Sequence, residues 1–278
     1  MSKLKKIITI ASGKGGVGKT CLSLNLAASI ARRGLDVVVI DMDLGLANVD
    51  IQLGLAPTRK NISAVIRDDM DIATAVRQFK EGSFSVVAGQ GGGGKFMSNL
   101  SEPALRTLHK KIRKLSESYD VTIIDCAAGV GLGVVVMTEN IDQILVVTTP
   151  EPTSMMDAYA LIKSTYDQSG GRDFTILMNM VPPGEDGKVP YETLAKVCEK
   201  FLSQRPKYGG WVNNYPQVRN AIRTQSLITV SDPGNAASKQ FMGIADTIIK
   251  FLKNEKTKPS DKASTKKTDP EKSNNKKK

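Results

Sequence analysis

The chain has 278 residues, 40% hydrophobic and 5% aromatic, with a formal charge of +11. That length suits one large α/β domain with a sizeable core, and no apolar run approaches the length of a membrane-spanning helix. Three cysteines, Cys21, Cys126 and Cys198, form no paired motif, which excludes a disulfide scaffold and points to a reducing, cytoplasmic compartment.

Ile7, Ile8, Thr9, Ile10 and Ala11 predict a first strand over residues 7–12. So short an apolar stretch behind Lys3, Lys5 and Lys6 reads as a strand rather than a signal peptide. Directly after it comes Gly13-Lys14-Gly15-Gly16-Val17-Gly18-Lys19-Thr20, the spacing of a phosphate-binding loop. Its glycines let backbone N–H groups turn inward around phosphate oxygens, where side chains would block the approach. Lys19 is placed to reach the outer phosphates, and the Thr20 hydroxyl to ligate Mg²⁺. A helix predicted over residues 19–33, with Cys21 in its first turn, aims its positive N-terminal end at the same phosphates. Lys14 comes too early in the loop to join Lys19 without crowding. By itself it reads equally as a solvated surface charge or as a group with a task elsewhere.

The next strand, over residues 37–41, runs into Asp41-Met42-Asp43. Asp41 and Asp43, two apart on a chain leaving a strand, point the same way. Either suits orienting water near Mg²⁺ or a γ-phosphate. A strand over 83–88 leads into the glycine-rich loop 89–94, which lacks a following Lys-Ser/Thr pair and reads as a flexible surface loop. A helix over 103–118 carries the single histidine, His109, expected at the surface among lysines and arginines. A strand over 121–125 ends in Asp125, as a Walker B element does.

Further strands are predicted over 143–149 and 174–179, with helices over 153–168 and 191–203. Pro152 followed by Thr153 or Ser154 marks the start of the first of these helices. Asn179 closes the 174–179 strand with an amide able to read a purine edge. No Asn-Lys-x-Asp signature follows it, which favours ATP over GTP. The last helix, over 235–253, puts Phe241, Ile244 or Ala245, Ile248 and Leu252 on one face, a stripe expected to pack into the core. Residues 254–278 hold nine lysines and four acids, which leaves +6 on the body. They carry almost no apolar residue and are expected to be disordered. Their lysines offer a weak, salt-sensitive attraction to anionic lipid or nucleic acid. Alternating strands and helices predict a single α/β P-loop NTPase domain over residues 1–253, with a mostly parallel central sheet and helices on both faces.

These motifs together resemble the MinD/ParA family of deviant-Walker ATPases. The resemblance is carried by the loop with its Lys14, by Asp41 through Leu44-Gly45-Leu46-Ala47-Asn48 to Asp50, and by Asp125-Cys126-Ala127-Ala128-Gly129. It continues in Thr148-Thr149-Pro150-Glu151-Pro152-Thr153-Ser154 with Asp157-Ala158-Tyr159, and in the stretch from Val218 to Ala237, covering roughly residues 5–252. The Leu-Gly-Leu-Ala-Asn form and the Glu-Pro-Thr-Ser segment are most similar to the FlhG branch, which controls flagellar number and placement.

The resemblance implies a slow, partner-stimulated, Mg²⁺-dependent ATPase in which ATP drives two subunits face to face. Lys14 would cross to the partner's phosphates as an arginine finger does. Lys19 and Thr20 would hold phosphate and Mg²⁺, with Asp41 and Asp125 holding Mg²⁺ through its waters. Asp43 would position the attacking water. Asn179 would contact adenine, Asn48 would belong to the nucleotide-binding set, and residues 41–50 and 125–133 would sense the γ-phosphate. Implied partners are an FlhF-like GTPase or a flagellar switch or transcription regulator, at the inner face of the cell membrane.

Two family features are not expected here. The loop begins too early for the N-terminal extension that stimulates FlhF, and residues 254–278 have no apolar face for a membrane helix. An iron–sulfur role for Cys126 lacks the second cysteine it needs. The basic balance supports an alternative, a ParA-like partition ATPase that binds non-specific DNA.

Overall fold

The computed structural model describes residues 4–43, 48–89, 100–169 and 173–254. The glycine-rich loop beyond Gly89, residues 44–47 of the segment expected to sense phosphate, and the chain from residue 255 lie outside them.

A period-two alternation in the apolar strands sorts their side chains onto two faces. In β1 (Lys6–Ser12) and β2 (Val37–Met42), Ile7, Ala11, Val38, Ile40 and Met42 enter one core, while Ile8, Ile10, Val37 and Val39 enter the other. The first core is closed by α4 (Glu102–Ser116), α5 (Leu132–Met137), α6 (Pro152–Ser169) and α7 (Lys188–Leu202). The second is closed by α1 (Lys19–Ala31), α8 (Pro216–Arg223), α9 (Ile228–Ser231) and α10 (Ala236–Asn254). The stripe expected on the last helix is buried in full: Phe241, Ile244, Ala245, Ile248 and Leu252. Arg33, just past α1, clamps Asp246 of α10 and ties the two helices of that layer.

Between the layers lies an eight-stranded sheet, in the order β3-β4-β2-β5-β1-β6-β7-β8. It is completed by β4 (Phe84–Val87), β5 (Val121–Ala128), β6 (Gln143–Thr148), β7 (Phe174–Val181), β3 (Val76–Phe79) and β8 (Lys207–Asn213). All neighbours are parallel except β3 against β4. From β1 the chain returns as β2 on one side, whereas from β5 it returns as β6 on the other side of β1. Strand order therefore diverges around β1, the place where a doubly wound sheet opens a crevice at the carboxyl ends of its strands. Two short helices, α2 (Val49–Gln52) and α3 (Ile62–Arg67), follow β2.

Three expectations change. β3 and β8 join the six predicted strands. β8 was hidden because it carries Gly209 and Gly210, which press against Leu177 and Ile244 where a side chain would collide. His109 is 6% exposed rather than superficial. It sits four residues after Leu105 and one after Leu108, so the apolar stripe of α4 carries it inward. Burial and nearby Arg113 hold its imidazole below the usual value. Lastly, β5 and β7 run past Asp125 and Asn179 to Ala128 and Val181, so neither residue ends its strand. The three cysteines are free and buried. Among the described residues no helix is long and apolar enough to cross a membrane.

Candidate nucleotide site

The loop Gly13–Thr20 joins β1 to α1 at the carboxyl edge of the sheet. Its first glycine is dictated by packing: a Cβ on Gly13 would stand 2.0 Å from the Asp157 carbonyl oxygen of α6. Gly15 and Gly16 face open space, and Gly16 and Gly18 take left-handed conformations with φ of 78° and 89°. Val17 is buried and anchors the loop in the second core. Ser12 Oγ donates to the Lys14 carbonyl at 2.8 Å. A cradle of this shape offers backbone N–H groups to an anion without side chains in the way.

Lys19 is buried at the start of α1, and Thr20 behind it is half-buried. Lys14 behaves differently. Its ammonium leaves its own loop and sits 3.5 Å from Glu151 Oε2, both side chains largely in solvent. Such a pair is weak, about 0.2–1 kcal/mol at most, and releases its lysine easily. The turn that carries Glu151 is closed locally: Ser154 Oγ lies 3.0 Å from Thr148 Oγ1 and accepts from the Thr149 N–H at 3.2 Å.

The carboxylates come from neighbouring strands. Asp41 of β2 is in register with Asp125 of β5, and Asp125 in turn with Ile10 of β1, so the three strands present these positions side by side, about 4.8 Å apart. Asp41 is 1% exposed and Asp125 0%. Asp41 Oδ1 accepts from the Asp43 N–H at 3.0 Å, and Oδ2 from the N–H groups of Asn48 and Val49 at 3.2 and 3.3 Å. Asp43 thus turns back on Asp41, instead of continuing the strand alternation. It remains close enough for its charge to act on both Asp41 and Asp125.

Asp125 receives Ser23 Oγ on Oδ1 at 2.9 Å. Its Oδ2 is buried with no hydrogen-bond partner among the described residues. Burial first, then the Asp125 charge, pushes the Asp41 carboxyl above the usual range, against the pull of the Asp43 and Val49 N–H groups. Burial also raises Asp125, opposed by Thr20, Ser23 and Lys19. Burial raises the adjacent Cys126 thiol too, which leaves it a packing residue.

Two buried acids side by side with an orphaned oxygen carry more negative charge than the single buried Lys19 offsets, and a divalent cation fits that deficit. Among the described residues no group of three His, Cys, Asp or Glu side chains could hold a metal alone. The donor set here, Thr20 with Asp41 and Asp125, suits Mg²⁺, which prefers one or two carboxylates plus waters and nucleotide phosphates.

Asn179 is not poised toward open solvent as a base-reading amide. Its Nδ2 donates to the Val17 carbonyl at 2.7 Å, and it lies where a Cβ on Gly18 would stand 2.3 Å from it. The side chain braces the loop from β7. The sequence reading missed this brace, the Ser23 bridge and the approach of Asp157. Only the Ser23 position, one helical turn after Lys19, carried a signal that pattern reading could have used.

Residues 5–168 match the family model described as AAA domain. The chain is 35% identical to antiactivator FleN of Pseudomonas aeruginosa, over 87% of this chain and 86% of FleN. It is 30% identical to the flagellum site-determining protein YlxH of Helicobacter pylori, over 89% and 83%. Among solved structures, the cell division ATPase MinD of Pyrococcus furiosus superposes with a TM-score of 0.74 at 23% identity, covering 90% of this chain and 99% of that one. MinD of Pyrococcus horikoshii, solved with Mg-ADP, gives 0.72 at 21%, covering 87% and 95%. The chain belongs to the MinD/ParA family of P-loop ATPases, with FleN and YlxH among its relatives.

Proposed function

We propose that this protein is an ATP-driven dimerising switch that regulates the number and placement of flagella. The observation that carries the reading is the division of labour between two lysines. Lys19 is buried with its charge acting on Asp125 of its own subunit, whereas Lys14 projects outward onto Glu151. A lysine turned away from its own loop is available to the phosphates of a second copy. The names of FleN and YlxH support a regulatory and flagellar role.

In this reading the loop N–H groups and Lys19 bind and orient the phosphates. Thr20, Asp41 and Asp125 hold Mg²⁺, which supplies charge neutralisation for phosphoryl transfer. Asp43 orients the attacking water, and Lys14 of the facing subunit meets the negative charge that develops. Asn48 and Cys21 complete the nucleotide-binding set. Asn179 reaches adenine once its hold on Val17 is exchanged. The implied partner is an FlhF-like GTPase or a flagellar switch or transcription regulator.

Light scattering with ATP and with ADP tests the reading. Wild type should dimerise with ATP alone, and Lys14→Ala should stay monomeric while still binding nucleotide. Asp43→Ala should still dimerise, with turnover lower by about 100-fold or more. An ATP-dependent dimer in Lys14→Ala removes the role of Lys14. A normal flagellar count in cells lacking the gene removes the flagellar assignment.

A further inference from the structure

Ser23 lies at the second turn of α1 and is fully buried. Its single hydroxyl stands 3.0 Å from the Lys19 carbonyl oxygen and 2.9 Å from Asp125 Oδ1. One side chain therefore joins the helix that begins at Lys19 to the strand that carries Asp125. A carboxylate turns readily about its terminal torsion unless one oxygen is held. Here Oδ1 is held, and the oxygen left without a partner is Oδ2. Ser23 is also out of reach of solvent, so no surface role competes for its hydroxyl.

We propose that Ser23 is a positioning residue that locks the rotamer of Asp125 so that Oδ2 stays available to the nucleotide-bound Mg²⁺. The proposal rests on the Mg-nucleotide reading of this site. Ser23 touches neither nucleotide nor cation, and it acts through the orientation of Asp125. An alanine here removes the hydroxyl bonded to Oδ1, leaves Thr20 as the hydroxyl still acting on the carboxylate, and loosens its rotamer. The backbone tolerates that change, because alanine favours the helix.

The test is a titration of a fluorescent ADP analogue with the full chain, in EDTA and over a range of Mg²⁺, with the melting temperature read alongside. Ser23→Ala should bind nucleotide in EDTA like wild type, yet need roughly tenfold more Mg²⁺ for half of the Mg²⁺-dependent tightening. Ser23→Thr, which keeps the hydroxyl, should restore the wild-type midpoint. If Ser23→Ala fails to fold, Ser23→Cys, of similar size and with a weak donor, takes its place. A variant that melts lower but keeps the wild-type Mg²⁺ midpoint overturns the proposal and leaves the site reading intact. A wild type whose nucleotide affinity ignores Mg²⁺ overturns the site reading and the proposal with it.

Discussion

Asp41 and Asp125 occupy matched positions on adjacent strands, equally buried, but their oxygens are spent differently. Both oxygens of Asp41 accept backbone N–H groups, from Asp43 on one side and from Asn48 and Val49 on the other. It fastens the two ends of the segment that carries Asp43. Asp125 takes the Ser23 hydroxyl on one oxygen, with Thr20 also acting on the carboxyl, and its other oxygen has no hydrogen-bond partner among the described residues. The same residue type in the same register thus clasps backbone N–H groups on one strand and leaves an oxygen open on the other. Which role it takes follows from whether the chain beyond the strand folds back over it.

That contrast can be broken first at Asp125. Asp125→Asn should lower Mg²⁺-dependent turnover by about 100-fold. It should also raise the unfolding midpoint of the nucleotide-free protein, since a buried charge whose desolvation outweighs its partners is gone. Loss of stability together with turnover would mean that Asp125 acts through structure rather than through Mg²⁺.

Asp41→Ala should behave in the opposite way. It leaves the N–H groups of Asp43, Asn48 and Val49 without their acceptor and should cost about 2 kcal/mol of stability in urea unfolding. Turnover should fall as well, through misplacement of Asp43. Wild-type stability in this variant would show that the three N–H groups find other acceptors.

The smallest expected effect is on pH dependence. Both acids titrate above their unfolded value in the folded, metal-free chain. The folded state then binds more protons than the unfolded state from about pH 4 up to about 6 at Asp125 and about 8 at Asp41, so stability falls as pH rises through that window. The slope is at most about 1.4 kcal/mol per pH unit for each extra proton bound. His109, whose folded value is lowered, acts in the other sense and loses stability only as pH falls below about 6.5. Urea midpoints between about pH 5.5 and pH 8.5 should decline, and Asp125→Asn should flatten the decline. A flat wild-type profile would show that the pair is compensated without a cation.

Much of this site was legible in the chain itself. The loop spacing, the apolar strands and their aspartates were visible because each is a local pattern of a few residues. β8 was not, because its glycines are selected by contact with Leu177 and Ile244 rather than by strand propensity. His109 was misplaced for a related reason: charged neighbours on α4 suggested solvent, while its angular position on the helix put it inside. Asn179 was found, but its hydrogen bond to Val17 joins residues far apart in sequence.

The sequence by itself determined that a phosphate cradle follows a buried strand, and that acids and two lysines accompany it, since those depend on residue type and spacing. Only the tertiary structure decided how they are used. Strand register set Asp41 beside Asp125, and helix packing brought Asp157 against Gly13. A buried hydroxyl on α1 selected which oxygen of Asp125 is free. Those outcomes depend on which distant segments share a sheet edge, and no local pattern encodes that.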